Sequence, residues 1–111
     1  MESLLNQMTH IKKGDIFLCY EGEKIRPVLI VSDQLVKVDI DVSIAKVTSQ
    51  SPRNKFDVVL EHWEFAGLNK KSVVRCSKIS YVSHRNLIRK VGTLHEDDMR
   101  KVTKVILDFF S

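Results

Sequence analysis

Apolar residues run consecutively in two stretches near the start of the chain, Ile16-Phe17-Leu18-Cys19-Tyr20 and Val28-Leu29-Ile30-Val31. Consecutive apolar positions are the pattern of strands covered on both faces. The short acidic and glycine-containing loop Glu21-Gly22-Glu23-Lys24 joins them, so the pattern predicts strands over Asp15 to Tyr20 and Arg26 to Ser32. Arg26 precedes Pro27, whose ring fixes its own φ near −65° and pushes the preceding residue toward an extended conformation. By itself this spacing reads as a strand start with a solvated arginine on its flank.

Further along, Asp41 to Thr48 reads as a third strand, followed by the turn cluster Ser49-Gln50-Ser51-Pro52-Arg53-Asn54-Lys55. In Phe56 to Leu60 the residues Phe56, Val58 and Leu60 alternate onto one face of a fourth strand. Glu61 to Ala66 predicts a single helical or 3₁₀ turn closed by Gly67, with Trp63 and Phe65 plugging one end of the fold. A long strand follows over Ser72 to Val82, a turn at His84-Arg85-Asn86, and a strand over Leu87 to Val91 that Gly92 ends. Residues 1–11 read as a frayed lead-in with a helical turn around Leu4 to Met8. Asp33-Gln34 begins a loop, and Leu35 to Asp39 forms a short irregular stretch.

The final segment has helical spacing: Met99, Val102, Ile106 and Phe109 share one face, with Arg100, Lys101 and Lys104 outside. Thr93 and Glu96 fit a capping box, and Glu96, Asp97 and Asp98 suit the positive end of the helix dipole. Short strands with turn signals and one closing helix predict a small, mainly β barrel in one domain over residues 1–111.

Composition narrows the functional classes. A hydrophobic share of 43% and a charged share of 29% belong to an ordinary folded domain. No apolar run approaches the roughly 20 residues that span a bilayer, and the N-terminus lacks the basic and apolar regions of a secretory signal. Cys19 and Cys76 both fall inside strand-like runs without metal spacing, which favours buried free thiols in a reducing cytoplasm over a disulfide. The formal charge of +4 is uneven: residues 1–51 hold six Lys/Arg against seven Asp/Glu, residues 52–111 twelve against seven. A basic second half suits a polyanion, although many domains with no nucleic-acid role are equally basic. His10, His62, His84 and His95 share no short motif and read as structural or solvated.

Gly14-Asp15-Ile16-Phe17, then a loop, then Arg26-Pro27-Val28-Leu29-Ile30-Val31-Ser32 resembles the opening of the MazF/PemK (Kid) family of toxins from toxin–antitoxin pairs. The similarity continues through Ala45-Lys46-Val47-Thr48-Ser49, Gly67-Leu68 and Ser72-Val73-Val74-Arg75-Cys76, in the family's order, from Lys13 to Phe110. It implies an SH3-like barrel with a C-terminal helix, a homodimer, and metal-independent, sequence-specific cleavage of single-stranded RNA in the cytoplasm. Such cleavage would leave 2′,3′-cyclic phosphate and 5′-hydroxyl ends. The resemblance also implies a cognate antitoxin whose disordered tail fills the RNA groove, operator DNA bound only through that antitoxin, and no cofactor.

Cleavage through the neighbouring 2′-hydroxyl needs a base for the hydroxyl proton, cationic donors for the phosphorane, and neutralisation of the departing 5′-oxygen. The resemblance moves Arg26 to phosphate stabilisation, for which its fork is suited. Thr48 takes the family's hydroxyl position, with Ser49 as a second donor; without the resemblance Thr48 equally reads as a strand-ending hydroxyl that satisfies a turn. Arg75 matches the arginine of the Val-Val-Arg-Cys-Asp motif, where neutralising the leaving oxygen suits a guanidinium better than giving up a proton. The motif's aspartate, however, is Ser77 here, so the usual base is missing. Glu21 or Glu23 would have to replace it, or the reaction would run weakly, or the chain would bind RNA or antitoxin without cleaving. Candidate RNA contacts are Tyr20, which could stack on a base or cap a core, with Glu21, Glu23 and Lys24 in the first loop, and Arg53, Lys55, Lys70 and Lys71. A gyrase poison of the CcdB type needs a C-terminal tripeptide with tryptophan, and Asp108-Phe109-Phe110-Ser111 lacks one.

Overall fold

The computed structural model describes residues 11–32 and 41–111. The lead-in with its turn at Leu4 to Met8, His10, and the loop and irregular stretch from Asp33 to Asp39 lie outside the described residues. Six strands and a helix follow in order: β1 (Asp15–Glu21), β2 (Lys24–Ile30), β3 (Asp41–Thr48), β4 (Asp57–Val59), β5 (Val73–Ser83), β6 (Leu87–Thr93) and α1 (Glu96–Phe109). A 3₁₀ turn over His84–Asn86 joins β5 to β6. All strand pairings are antiparallel, in one sheet of order β4-β5-β3-β2-β1-β6. The sequence predicts a small, mainly β barrel with a closing helix; among the described residues the strands form one antiparallel sheet that does not close on itself, with β4 and β6 at its edges. β4 is only three residues long and pairs with β5 alone among the described strands.

The consecutive apolar runs are explained by two clusters on opposite faces of the sheet. Successive side chains of a strand point to opposite sides, so Ile16 enters one cluster with Leu29, Ala45, Val47 and Val74, while Phe17 enters the other with Cys19, Val28, Ile30 and Val42. Helix α1 closes the first cluster. Its Val102 is fully buried, and Met99, Val105 and Ile106 pack beside it. Phe109, expected on the same face, lies at the rim and meets Phe56 edge-on with centroids 4.8 Å apart.

The helix start differs from its sequence signature. Thr93 is still in β6, where its hydroxyl donates to Asp15 Oδ1 at 3.0 Å. His95 is the N-cap instead, its Nδ1 accepting from the Asp97 N–H at 3.1 Å. Fully buried Asp98 accepts from the backbone N–H groups of Glu61 (3.1 Å) and His62 (2.9 Å), pinning the 61–67 turn to the helix. Asp98→Ala removes a fully buried carboxylate together with both hydrogen bonds that anchor the 61–67 turn, and is expected to lower stability by about 2 kcal/mol, read as a shift of the urea midpoint at constant m-value; an unchanged midpoint would contradict this anchor.

Gly92 does not end β6, because the strand runs to Thr93. Its role is close approach: a Cβ there would sit 2.2 Å from the carbonyl oxygen of Ala66. Gly67, at φ +83°, turns the chain out of the 61–67 segment as expected. Trp63 packs against the first cluster, but Phe65 is 66% exposed and meets His95 edge-on, so it plugs nothing.

Both cysteines are buried and free, as their positions in strands predict. Burial, reinforced by Asp57, pushes the Cys76 thiol up to about 11. The unfolded thiol ionises first as pH rises above its usual value, so the stability tied to the neutral thiol is lost between about 9 and 11. The loss amounts to about 2–3 kcal/mol, and urea titrations of Cys76→Val should lack that part of the alkaline decline.

Candidate functional site

Paired residues of neighbouring antiparallel strands share a face of the sheet, and the register therefore assembles the site. Val28 stands opposite Lys46, Lys46 opposite Arg75, and Arg75 opposite Asp57. One step along, Cys19 stands opposite Arg26. Glu21, Arg26, Lys46, Arg75 and Asp57 thus fall on one face. Between Ala45–Ile79 and Lys46–Arg75 the ladder of β5 slips, leaving residues 76–78 outside it. Such a bulge re-aims side chains, and Ser77 from it lines the same hollow as Arg75.

That hollow, about 450 Å³, is lined by Glu21, Arg26, Lys46, Arg53, Arg75, Ser77 and Lys78 among its polar groups. A second hollow of about 500 Å³ is lined by Thr48, Ser49, Asn69, Lys70 and Arg89. Arg26, Lys46 and Gln50 line both, so they stand between the two. Of the residues singled out in the sequence, Arg26, Arg75, Ser77, Glu21 and Arg53 meet in the first hollow, and Thr48, Ser49 and Lys70 line the second.

The others lie apart. Glu23 is on the two-residue turn between β1 and β2, and Lys24 begins β2. Lys55 stands over the Phe56 ring at 5.2 Å, and Lys71 is exposed outside both linings. Tyr20 is half exposed and alternates to the face opposite Cys19 and Glu21, because β1 extends straight through it to Glu21. Thr48 Oγ1 accepts from the Gln50 N–H at 3.2 Å, the turn-satisfying role that its strand-ending position allows.

Within the first hollow the Glu21 carboxylate lies 3.8 Å from Lys46 Nζ. Arg75 is held more tightly. Its Nη1 donates to Asp57 Oδ2 at 2.6 Å and its Nη2 to Gln50 Oε1 at 3.2 Å, with the two charged side chains 5% and 1% exposed. The Cys19 thiol, also lining this hollow, is raised by burial and by the Glu21 charge, which keeps it neutral. Sequence reading missed Asp57, Lys46 and Gln50. Asp57 alternates with Phe56 and Val58, and only the β4–β5 register reveals its partner.

The three histidine and carboxylate groups His62, His95 and Asp97 lie within 4.8 Å of one another at the start of α1, outside both hollows. Two of their ligand atoms are already engaged: His95 Nδ1 caps the helix and Asp97 Oδ1 holds Arg100.

A family model described as "PemK-like, MazF-like toxin of type II toxin-antitoxin system" matches residues 12–110. A Mycolicibacterium smegmatis protein named "Probable endoribonuclease MazF" is 29% identical over 105 residues, covering 89% of this chain and 95% of that one. Among solved structures, the Mycobacterium tuberculosis toxin MazF-mt6 is 26% identical with a TM-score of 0.73, over 86% of this chain and 95% of that one. The Deinococcus radiodurans MazE-MazF complex gives a TM-score of 0.76 at 18% identity, over 91% of this chain and 95% of its own. A mycobacterial endoribonuclease in complex with its cognate antitoxin gives 0.75 at 18% identity, over 90% and 94%. The last two likenesses speak to the fold alone.

Proposed function

We propose that this chain, which belongs to the PemK-like, MazF-like toxin family of type II toxin–antitoxin systems, is a metal-independent, sequence-specific endoribonuclease acting on single-stranded RNA. The observation that carries the reading is the convergence of three cationic side chains, Arg26, Lys46 and Arg75, with the carboxylate of Glu21 and the hydroxyl of Ser77 in one hollow. This is the composition that phosphate transesterification requires.

In the proposed reaction the 2′-oxygen attacks phosphorus and its proton passes to the Glu21 carboxylate. The new 2′-O–P bond forms as the P–O5′ bond breaks, the electron pair leaves on O5′, and O5′ takes a proton from water. Arg26 holds the non-bridging oxygens, while Arg75 stabilises charge on the departing oxygen. Products are a 2′,3′-cyclic phosphate and a 5′-hydroxyl end. Thr48 and Ser49 donate to the phosphate from the second hollow, and Lys70 and Arg53 follow the strand to either side. Of the two loop glutamates, Glu21 is preferred because Glu23 lines neither hollow.

The reading extends to partners. A cognate antitoxin fits the same basic hollows, and neighbours of this fold are solved with theirs; operator DNA is reached through it. A homodimer is supported by the apolar surface at the C-terminal end of α1, where Leu107 is 65% exposed and Phe110, just past the helix, 66%. The six-stranded sheet with its closing helix is read as the family's SH3-like barrel, filling the chain as one domain. No described helix is long and apolar enough to cross a membrane, in keeping with action in the cytoplasm. Ser77 favours a second reading, a barrel that binds RNA or antitoxin without cutting.

Incubating the protein with a long single-stranded RNA in EDTA separates these readings. Fragments whose 5′ ends accept label from polynucleotide kinase without phosphatase treatment are expected. Intact RNA, or cleavage only when a divalent metal is restored, would overturn the nuclease assignment.

A further inference from the structure

We infer that Asp57 is a positioning residue that holds Arg75 from the neighbouring strand, so that the guanidinium enters the first hollow in a fixed pose. The inference deepens the nuclease reading and rests on it for the identity of the ligand. Asp57 lines neither hollow, so it acts through side chains that do. Its Oδ2 accepts from Arg75 Nη1 at 2.6 Å and from the Arg53 N–H at 2.7 Å. Gln50 Oε1 accepts from the same two residues, from Arg53 Nη2 at 2.9 Å and Arg75 Nη2 at 3.2 Å. Four hydrogen bonds to two acceptors therefore fix two arginines that both line the first hollow.

Local chemistry makes Asp57 the centre of this arrangement. The Asn54 side chain accepts from the Phe56 N–H at 2.8 Å and its carbonyl from the Asp57 N–H at 3.1 Å, folding a tight turn. That turn delivers Asp57 onto β4 directly opposite Arg75. With 1% of its side chain exposed, the carboxylate is stable there only while paired, and a guanidinium so held spends little entropy on meeting a phosphate. Asp57 Oδ1 is buried without a hydrogen-bond partner among the described residues. The carboxylate's hydrogen bonding therefore runs through Oδ2 alone, to Arg75 and the Arg53 backbone.

A double-mutant cycle on the full chain tests this. Asp57→Asn, Arg75→Gln and the double variant are assayed for RNA cleavage in EDTA, each below its own melting temperature from circular dichroism. Arg75→Gln is expected to lower kcat about 100-fold and Asp57→Asn about 30-fold, with KM changed less than about threefold. The double variant should match Arg75→Gln alone, because a residue acting through another adds nothing once that other is gone. Parental kcat in folded Asp57→Asn, or losses that multiply in the double variant, would overturn the inference. If Asp57→Asn does not fold, the double variant, free of an unpaired buried charge, is compared with Arg75→Gln: equal activity upholds the assignment and lower activity defeats it. If the parent cuts no RNA, the same cycle is read by fluorescence anisotropy on a 2′-O-methyl RNA. Coupled affinity losses would then uphold Asp57 while the nuclease reading falls, and affinities unchanged by either single substitution would remove both.

Discussion

Arg26→Ala should lower the single-turnover rate of RNA cleavage about 10²- to 10³-fold, the usual cost of deleting one preorganised donor to a developing oxyanion. The melting temperature should stay within a few degrees of the parent. The side chain is exposed, and the backbone that carries it is held by pairing with Cys19 and by Pro27. Loss of rate without loss of fold separates a reacting group from a structural one. Arg26→Lys offers a sharper form of the test. An ammonium keeps the charge but not the planar fork that meets two phosphate oxygens at once, so only partial recovery is expected, about tenfold above alanine. Parental rates in a folded Arg26→Ala would remove the residue from the chemistry and leave it as the solvated strand flank that its spacing alone suggests.

Glu21→Gln should cost a further class of rate, about 10²-fold or more, because a positioned general base contributes about 10²–10⁴. The amide is isosteric and Glu21 lies on the surface end of β1, so stability should not change. Position 77 provides the reciprocal experiment. Ser77 stands in the same hollow, beside Arg75 on the bulged stretch of β5, and a carboxylate there would face the same reacting region. Ser77→Asp should therefore raise the parental rate and restore much of what Glu21→Gln loses. Restoration in the combined variant would establish that the hollow needs one carboxylate and tolerates its delivery from either strand. A Glu21→Gln protein cutting within threefold of the parent would move the base elsewhere. A parent that is silent while Ser77→Asp cuts would make this chain a binding module that has lost its chemistry.

Where local rules decided the outcome, the sequence was readable. The alternation that buries Ile16 and Phe17 in opposite clusters, the left-handed Gly67 and the α1 face around Val102 follow from period and residue type alone. The convergence of Arg26, Arg75 and Ser77 was reachable only through family resemblance, because these positions lie on different strands. Most of the differences come from contacts between residues remote in sequence. Gly92 looked like a strand end since its contact, the Ala66 carbonyl, is remote in sequence. The capping box was assigned to Thr93, whose hydroxyl instead meets Asp15 across the sheet. Asp57 carries no signal in the sequence, because its pairing with Arg75 depends on β4 lying beside β5. Lys46 and Gln50 went unnoticed for the same reason, since only the register sets them between the two hollows. Pairwise charge chemistry across a sheet is invisible until the strands are aligned.

The central claim is that the RNA's own 2′-hydroxyl is the nucleophile in the hollow that Glu21 and Arg26 line. An RNA carrying a single 2′-deoxynucleotide immediately 5′ of a mapped cleavage position tests it most directly, run beside the all-ribose strand in EDTA. Cleavage is expected to disappear at that one bond and to persist at every other mapped bond. Cleavage at the deoxy-substituted bond would contradict it, because water and not the 2′-oxygen would then be attacking phosphorus.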